Sequence, residues 1–405
     1  MKKENRVTCL LGAGAAIDIN GPTTYAITEK VKKHDDFLKG VCDTLEQYYG
    51  QEGYNFEDVF HAIETLASYT SREDKTLKRF KPALGAFIDP KEPMFFDRFN
   101  LTQARTTILK ILAEEISKYD TLENVSENKW YSEFWRKLNK NSPLDVGTLN
   151  YDNTIQKILK ENVTDGFEKV DGELYDRFNP TTIIGTDKTR IMNLHGSIYY
   201  GKARGKDPNR HILEDNPHDL YQYKDHDTAF KTWFGSSSYT NQAGEKAEIS
   251  PIITGLRKLD KLSVHPLSVY NSLFTDSISS NSSLLVCGYS FGDLHINSVL
   301  ERMASIHGNK RRIVLIVYLS DYWKENWSSD LSVMKCFSLN IRRFLAKTFQ
   351  ETRPLASNFF FENPIISQDG LVRVYFDGFK KTVEDYGKEI IEFLTAEVDN
   401  KKIDL

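Results

Sequence analysis

The chain has 405 residues, 40% of them hydrophobic and 27% charged, with a formal net charge of −4. This supplies apolar material for a full core and more than one structural unit, and it excludes wholesale disorder. The strongly basic balance of a duplex-DNA-binding domain is absent and no apolar run reaches transmembrane length, so the expectation is a cytoplasmic protein without direct duplex-DNA or membrane binding.

The first residues have the basic start and apolar run of a signal peptide, but they fit a strand and a glycine turn better. Val7–Leu11 closes on glycine and reads as a buried parallel strand. After the turn, Pro22 opens a helix to about Lys33. Residues 34–141 are mainly helical in pattern. Leu101, Ala104, Ile108, Ile111, Leu112 and Ile116 form one apolar stripe, read as core packing.

Residues 144–149 and 189–194 return to strand character. Residues 202–216 and 235–248 are polar and rich in loop formers, so they read as surface loops flanking a second insertion. Residues 249–254 read as a strand, and Pro266 opens a helix to about Ser279. Ser283–Cys287 is a buried strand, and 313–319 is the strongest strand pattern in the chain. Before it, Lys310-Arg311-Arg312 reads as a solvated junction. Residues 371–376 alternate like an edge strand, and a helix follows over about 380–398.

Apolar strands alternating with helices specify an α/β fold with a Rossmann-like parallel sheet. The expected division is a nucleotide-binding domain from residues 1–33, 142–201 and 249–320. A helical insertion occupies 34–141 and a loop-rich one 202–248. The C-terminal segment, 321–405, is packed on the sheet or used in assembly. The four cysteines, Cys9, Cys42, Cys287 and Cys336, are widely spaced and form no C-x-x-C pair. They read as small buried hydrophobes in a reducing compartment, with no zinc module.

Ligands of open parallel sheets sit at the carboxyl ends of the strands, and the polar motifs of this chain fall there. Gly12-Ala13-Gly14 follows a strand, where glycines let backbone N–H groups approach a pyrophosphate. The third glycine of the dinucleotide fingerprint is replaced by Ile17. Thr148-Leu149-Asn150-Tyr151-Asp152 offers an amide and a carboxylate that either orient a ribose hydroxyl or water, or cap the next helix. His195, before Gly196, is a candidate general base or a satisfied hydrogen-bonder.

Gly288-Tyr289-Ser290-Phe291-Gly292 matches the nucleophile-elbow pattern, but no later acid and histidine lie on separate strands. It reads as a nucleotide-binding turn rather than a serine hydrolase site. His211, His218 and His226, with Asp215, Asp219, Asp225 and Asp227, read as a solvated loop in preference to a metal site.

In order, these motifs resemble the sirtuin family: Gly12-Ala13-Gly14, Gly21-Pro22, Thr148-Leu149-Asn150-Tyr151-Asp152, His195-Gly196 and Gly288-Tyr289-Ser290. Four departures argue against acyl-lysine chemistry: the cysteine pairs of sirtuin deacylases are absent, Ala16 stands where they have Ser after Gly-Ala-Gly-x, Thr23 and Thr24 follow Gly21-Pro22 in place of Phe-Arg, and the spacing between motifs is longer. The late Gly-Tyr-Ser-Phe-Gly-Asp turn and the chain length look closest to sirtuin-like NADases of bacterial anti-phage systems, in particular the subunit paired with a HerA-type hexameric ATPase. The resemblance implies NAD as substrate, a homo-oligomer and an ATPase partner.

It further implies cleavage between nicotinamide and ribose through an oxocarbenium-like transition state. Asn150, Asp152 and His195 are the catalytic candidates. Gly12, Ala13, Gly14, Thr23, Gly288, Ser290, Phe291 and Asp293 are the binding candidates. The alternatives are an NAD-dependent deacylase and a non-catalytic NAD or ADP-ribose sensor.

Overall fold

A computed structural model describes residues 6–51, 53–70, 98–203, 219–233, 250–255, 258–319, 338–350 and 363–396. In chain order the first elements are β1 (Val7–Leu11), α1 (Gly14–Ile17), α2 (Thr24–Lys32), α3 (Asp36–Tyr49), α4 (Phe56–Thr70), α5 (Arg98–Tyr119), α6 (Leu122–Glu127), α7 (Lys129–Asn141) and β2 (Leu144–Thr148). Next are α8 (Thr154–Leu159), β3 (Val163–Thr164), β4 (Phe167–Lys169), β5 (Tyr175–Phe178), β6 (Thr189–Asn193), β7 (Tyr200–Gly201), β8 (Tyr221–Tyr223), α9 (His226–Phe230) and α10 (Lys258–Lys261). The chain continues with α11 (Leu267–Ser280), β9 (Ser283–Cys287), α12 (Leu294–Leu300), α13 (Met303–His307), β10 (Arg312–Ile316), α14 (Leu339–Phe349), β11 (Ile365–Ile366), β12 (Val372–Tyr375) and α15 (Gly378–Thr395).

The main sheet runs β11-β12-β10-β9-β1-β2-β6-β3. Every pairing is parallel except that of β11 with β12. The chain goes from β1 to β2 and β6 on one side, then crosses to β9, β10 and β12 on the other. This is the Rossmann-like order, and its reversal lies between β1 and β9. The register puts Leu11 beside Thr148 and Cys287, Thr148 beside Asn193, and Cys287 beside Ile316, so the carboxyl ends finish level.

The central strands β1, β2, β6 and β9 are buried along their whole length because both faces are covered, and β1, β9 and β10 are correspondingly rich in apolar residues. Val7, Cys9, Leu11, Leu285, Cys287, Val314 and Ile316 face a core shared with α2–α7 and α15. Leu10, Leu284, Val286, Ile313 and Leu315 face a second core shared with α11–α14. Cys9, Cys42 and Cys287 are buried free thiols. At the amino ends, away from the motifs, buried Asp145 accepts hydrogen bonds from Arg6, Arg190 and Asn281 and ties three segments together.

Four sequence expectations need correction. Residues 250–254 form no strand; only Ile252 bridges Gly196, because this segment crosses the end of the sheet. β12 is not the edge, since β11 pairs outside it. Arg311 is not solvated: it is fully buried, and its guanidinium donates to the carbonyls of Gly308, Thr348 and Phe349 and to Asp369, closing the carboxyl end of α14. Tyr221–Tyr223, in the stretch read as loop-rich, is a strand of a separate antiparallel sheet ordered β4-β5-β8-β7. Among the described residues, no helix is long and apolar enough to cross a membrane.

Candidate functional site at the strand switch point

The two glycine turns meet at the reversal between β1 and β9. Gly12 N–H donates to Cys287 O at 3.0 Å, and Gly14 N–H donates to Gly288 O at 2.9 Å. A Cβ on Gly12 would lie 2.6 Å from Gly288 O, and one on Gly14 would lie 2.7 Å from Gly288 Cα. The bare backbones are therefore required by each other. This accounts for the incomplete dinucleotide fingerprint: the second glycine admits a neighbouring turn. Among the described residues, the N–H groups of Ala13, Ser290 and Gly292 meet no acceptor, so the paired turns present backbone donors along their rim.

Ser290 is exposed on this rim. Phe291 adopts φ of 61°, an unusual backbone for a bulky residue. Its ring is fully buried against Tyr289 and Phe344, and its carbonyl accepts from Asn297 and Asn340. Both the ring and the carbonyl of Phe291 are therefore engaged within the protein. Thr23 lies at the start of α2, where its hydroxyl accepts from Ala26 N and caps the helix.

Asn150 follows β2. Its N–H bonds the Thr148 hydroxyl, and its half-buried side chain has no partner among the described residues. Asp152 is deeply buried and already engaged: Oδ2 accepts from Tyr119 at 2.7 Å and Oδ1 from Thr154 N at 2.9 Å. Burial, and then the nearby charge of Asp120, push its carboxyl up. Asp120 in turn holds Lys157, Tyr199, Thr154 and the Asn153 N–H. The loop carrying Asn150 is thus anchored to the end of α5.

His195 follows β6. It is buried, and its Nε2 has no hydrogen-bond partner. Asp293 Oδ1 is 3.8 Å away, and the ring stacks on His295 with centroids 5.9 Å apart. Burial pushes the His195 imidazole down to about 4; Lys258 and His295 add to this, and Asp293 opposes it. The ring is therefore neutral at physiological pH and able to accept a proton. Burial would raise the Asp293 carboxyl, but His195 and Lys258 outweigh it and hold the group below its usual range.

The structure brings together Gly12, Gly14 and Gly288, and separately His195 and Asp293. Sequence reading missed Glu57 on α4 and Lys258 on α10. Lys258 Nζ donates to Asp293 Oδ1 at 3.0 Å and to Glu57 Oε2 at 3.1 Å. No local motif marks either residue, because each sits on a helix far along the chain from its partner.

In the polar loop, Asp225 caps α9 through Thr228 N and His226 pairs with Asp227; His211, Asp215 and His218, like Cys336, lie outside the described residues. No group of three metal-ligating side chains occurs among the described residues.

Residues 145–335 match the SIR2-like domain. This supports a sirtuin-like family and fits NAD-related chemistry. The SIR2-like stretch runs from β2 past β10 and holds Asn150, Asp152, His195, Ser290 and Asp293, while β1 and its glycine turn precede it. A search of curated proteins found no match to the chain.

Proposed function

We propose that the chain is an NAD glycohydrolase that cleaves NAD to nicotinamide and ADP-ribose. The observation carrying this reading is the neutral, buried and unpartnered His195 Nε2, 3.8 Å from Asp293 Oδ1, the residue that directly follows the β9 glycine turn. An orphaned buried nitrogen needs a partner, and a ribose hydroxyl or a water held by that ribose would supply one. The residues therefore fit NAD as substrate.

In this mechanism the N–H groups of Ala13, Ser290 and Gly292 hold the ADP-ribose half, with Gly12, Gly14 and Gly288 shaping the turns that aim them. Asp293, directly after the Gly288–Gly292 turn, and Thr23, directly after Gly21-Pro22, complete the proposed binding set. His195 accepts the proton from the attacking water, directly or through a ribose hydroxyl. The free amide of Asn150 orients that water or hydroxyl. Asp152, whose oxygens are occupied inside the protein, acts by fixing the Asn150 loop. The leaving pyridinium is already cationic, so no general acid is needed.

The missing cysteine pairs favour water over acyl-lysine as the acceptor. A free NADase would poison its own cell, so we further propose a role in anti-phage defence. Activity would then depend on assembly as a homo-oligomer with a HerA-type ATPase, in the cytoplasm.

The test is incubation of the protein with NAD, alone and with an ATPase encoded beside it, while following nicotinamide. Release without any acylated peptide is expected. Asn150→Ala and His195→Ala should each lower turnover by roughly 10²-fold or more. Unchanged turnover in both variants sinks the site assignment. Release that requires an acyl-peptide indicates a deacylase, and NAD binding without turnover in every assembly state indicates a sensor.

A further inference from the structure

One carboxylate oxygen lies near two basic nitrogens. Asp293 Oδ1 lies 3.0 Å from Lys258 Nζ and 3.8 Å from His195 Nε2. The lysine takes the hydrogen bond, and the imidazole nitrogen is left sealed from solvent and unpaired. Lys258 is itself held from the other side by Glu57 Oε2 at 3.1 Å. The side chain thus spans from the first turn of α4 to the loop after β9, less than a quarter exposed, with both ends of its charge occupied. A long flexible lysine has no reason to be fixed this way on the surface, where such pairs contribute little. Here it sits within reach of the proposed base.

We propose that Lys258 is a positioning residue for that base: by engaging Asp293 Oδ1 it keeps the carboxylate from pairing with His195, so that Nε2 stays free to accept a proton from the substrate side. Glu57 sets where the ammonium stands. The inference rests on His195 as the base of the reaction proposed above, and its physical core, the competition for one carboxylate oxygen, is measurable without turnover.

A histidine hydrogen-bonded to a carboxylate through the nitrogen that must work would be a poorer acceptor at that nitrogen and would hold its own proton more tightly. The charged and titratable groups around the pair all belong to this arrangement. Asp293 and His295 face His195 from the start of α12, and Lys258 faces it from α10. Glu57 faces Lys258 from α4. The Tyr151 phenol, after β2, feels both Glu57 and Asp293, and the Tyr289 phenol, after β9, bonds the Asp293 backbone and feels its charge. Burial alone would lower the Lys258 ammonium, but Glu57 and Asp293 together hold it above its ordinary value, so it stays charged.

The experiment is an NMR titration of the full chain with ring-labelled histidine, His195 being assigned by the signal lost in His195→Gln. Wild type, Lys258→Met and Lys258→Arg are compared, together with the pH profile of nicotinamide release. In Lys258→Met, Asp293 is free to pair with Nε2, and the His195 midpoint should rise by about one to three pH units. Lys258→Arg keeps the cation and should stay near wild type. Adding Asp293→Asn to Lys258→Met should abolish the rise. Where Lys258→Met does not fold, Lys258→Leu, which likewise offers Asp293 no donor, gives the same comparison.

A His195 midpoint that stays put in a folded, charge-less variant overturns the proposal. So does a rise that survives Asp293→Asn, because the carboxylate would not then be its cause. Should the wild type release no nicotinamide, the glycohydrolase reading fails while the titration still decides whether Lys258 governs His195.

Discussion

A buried imidazole held down at about 4 has consequences at two levels. In catalysis, a base is competent while neutral. If His195 is that base, the acid limb of kcat/KM should fall near pH 4 to 5, below the 6.5 of an ordinary histidine, and should vanish with the activity in His195→Ala. A limb near 6.5 would mean that another group titrates. In folding, the unfolded chain binds the proton more readily than the native chain. The stability from the neutral ring is therefore complete above pH 6.5 and is lost as pH falls from 6.5 through 4. With about 1.4 kcal/mol per pH unit, the loss reaches roughly 3 kcal/mol, and urea unfolding at pH 7 and pH 4.5, compared with His195→Gln, measures it. Asn150 and His195 could be proposed from the sequence because each stands two residues past the carboxyl end of a strand, where ligands of parallel sheets sit. Lys258 and Glu57 were not, because their meaning lies in a contact between helices 201 residues apart.

At the scale of elements, the mutual packing of the β1 and β9 turns is the structural basis of the switch point. Gly288 has φ of +64°, and a Cβ there would stand 2.1 Å from Ala15 N. Neither a rotamer change nor a side-chain shift relieves a backbone clash. Gly288→Ala should cost at least about 2 kcal/mol, read as a lower denaturation midpoint, whereas Gly172→Ala, in open space, should cost less despite its similar φ. Equal losses would mean that backbone conformation alone, and not the approach of the two turns, makes these glycines necessary.

The strands flanking this turn were readable for a plain reason: a strand covered on both faces is an uninterrupted apolar run, and Ser283–Cys287 was placed to the residue. The antiparallel sheet was not readable. Its strands are two to four residues long, too short to show alternation, and it is held by ring packing such as Tyr175 on Tyr221 at 4.7 Å. Arg311 misled for the opposite reason. Three basic residues in a row suggest solvent, yet the middle one reaches inward to carbonyls at the end of a helix that begins 28 residues later in the chain.

At the scale of the molecule, the question is whether residues 34–141 are an appendage to the sheet. Their sequence is a helical block between two strands, which reads as an insertion. The contacts argue that the sheet depends on it. One continuous core joins Leu38, Phe60, Ile108 and Trp135 to Cys9, Val146, Leu285 and Val314. Polar ties run the same way: Tyr119 to Asp152, Asp120 to Lys157, Asn124 to Ile19 O, and Glu57 to Lys258. Removing the block would bare one face of a central sheet whose strands are buried on both sides. It would also leave Asp152 buried without its phenol, Lys157 without its carboxylate partner Asp120, and Lys258 without one of its two carboxylate partners. We therefore propose that this region is a wall of the same folding unit. A chain in which residues 34–141 are replaced by a short glycine-serine linker should show no cooperative thermal transition and should expose apolar surface to a dye such as ANS. A sharp, reversible transition in the shortened chain would instead establish the block as a separable domain. The Glu57–Lys258 contact would then have to be read as an interface between two domains.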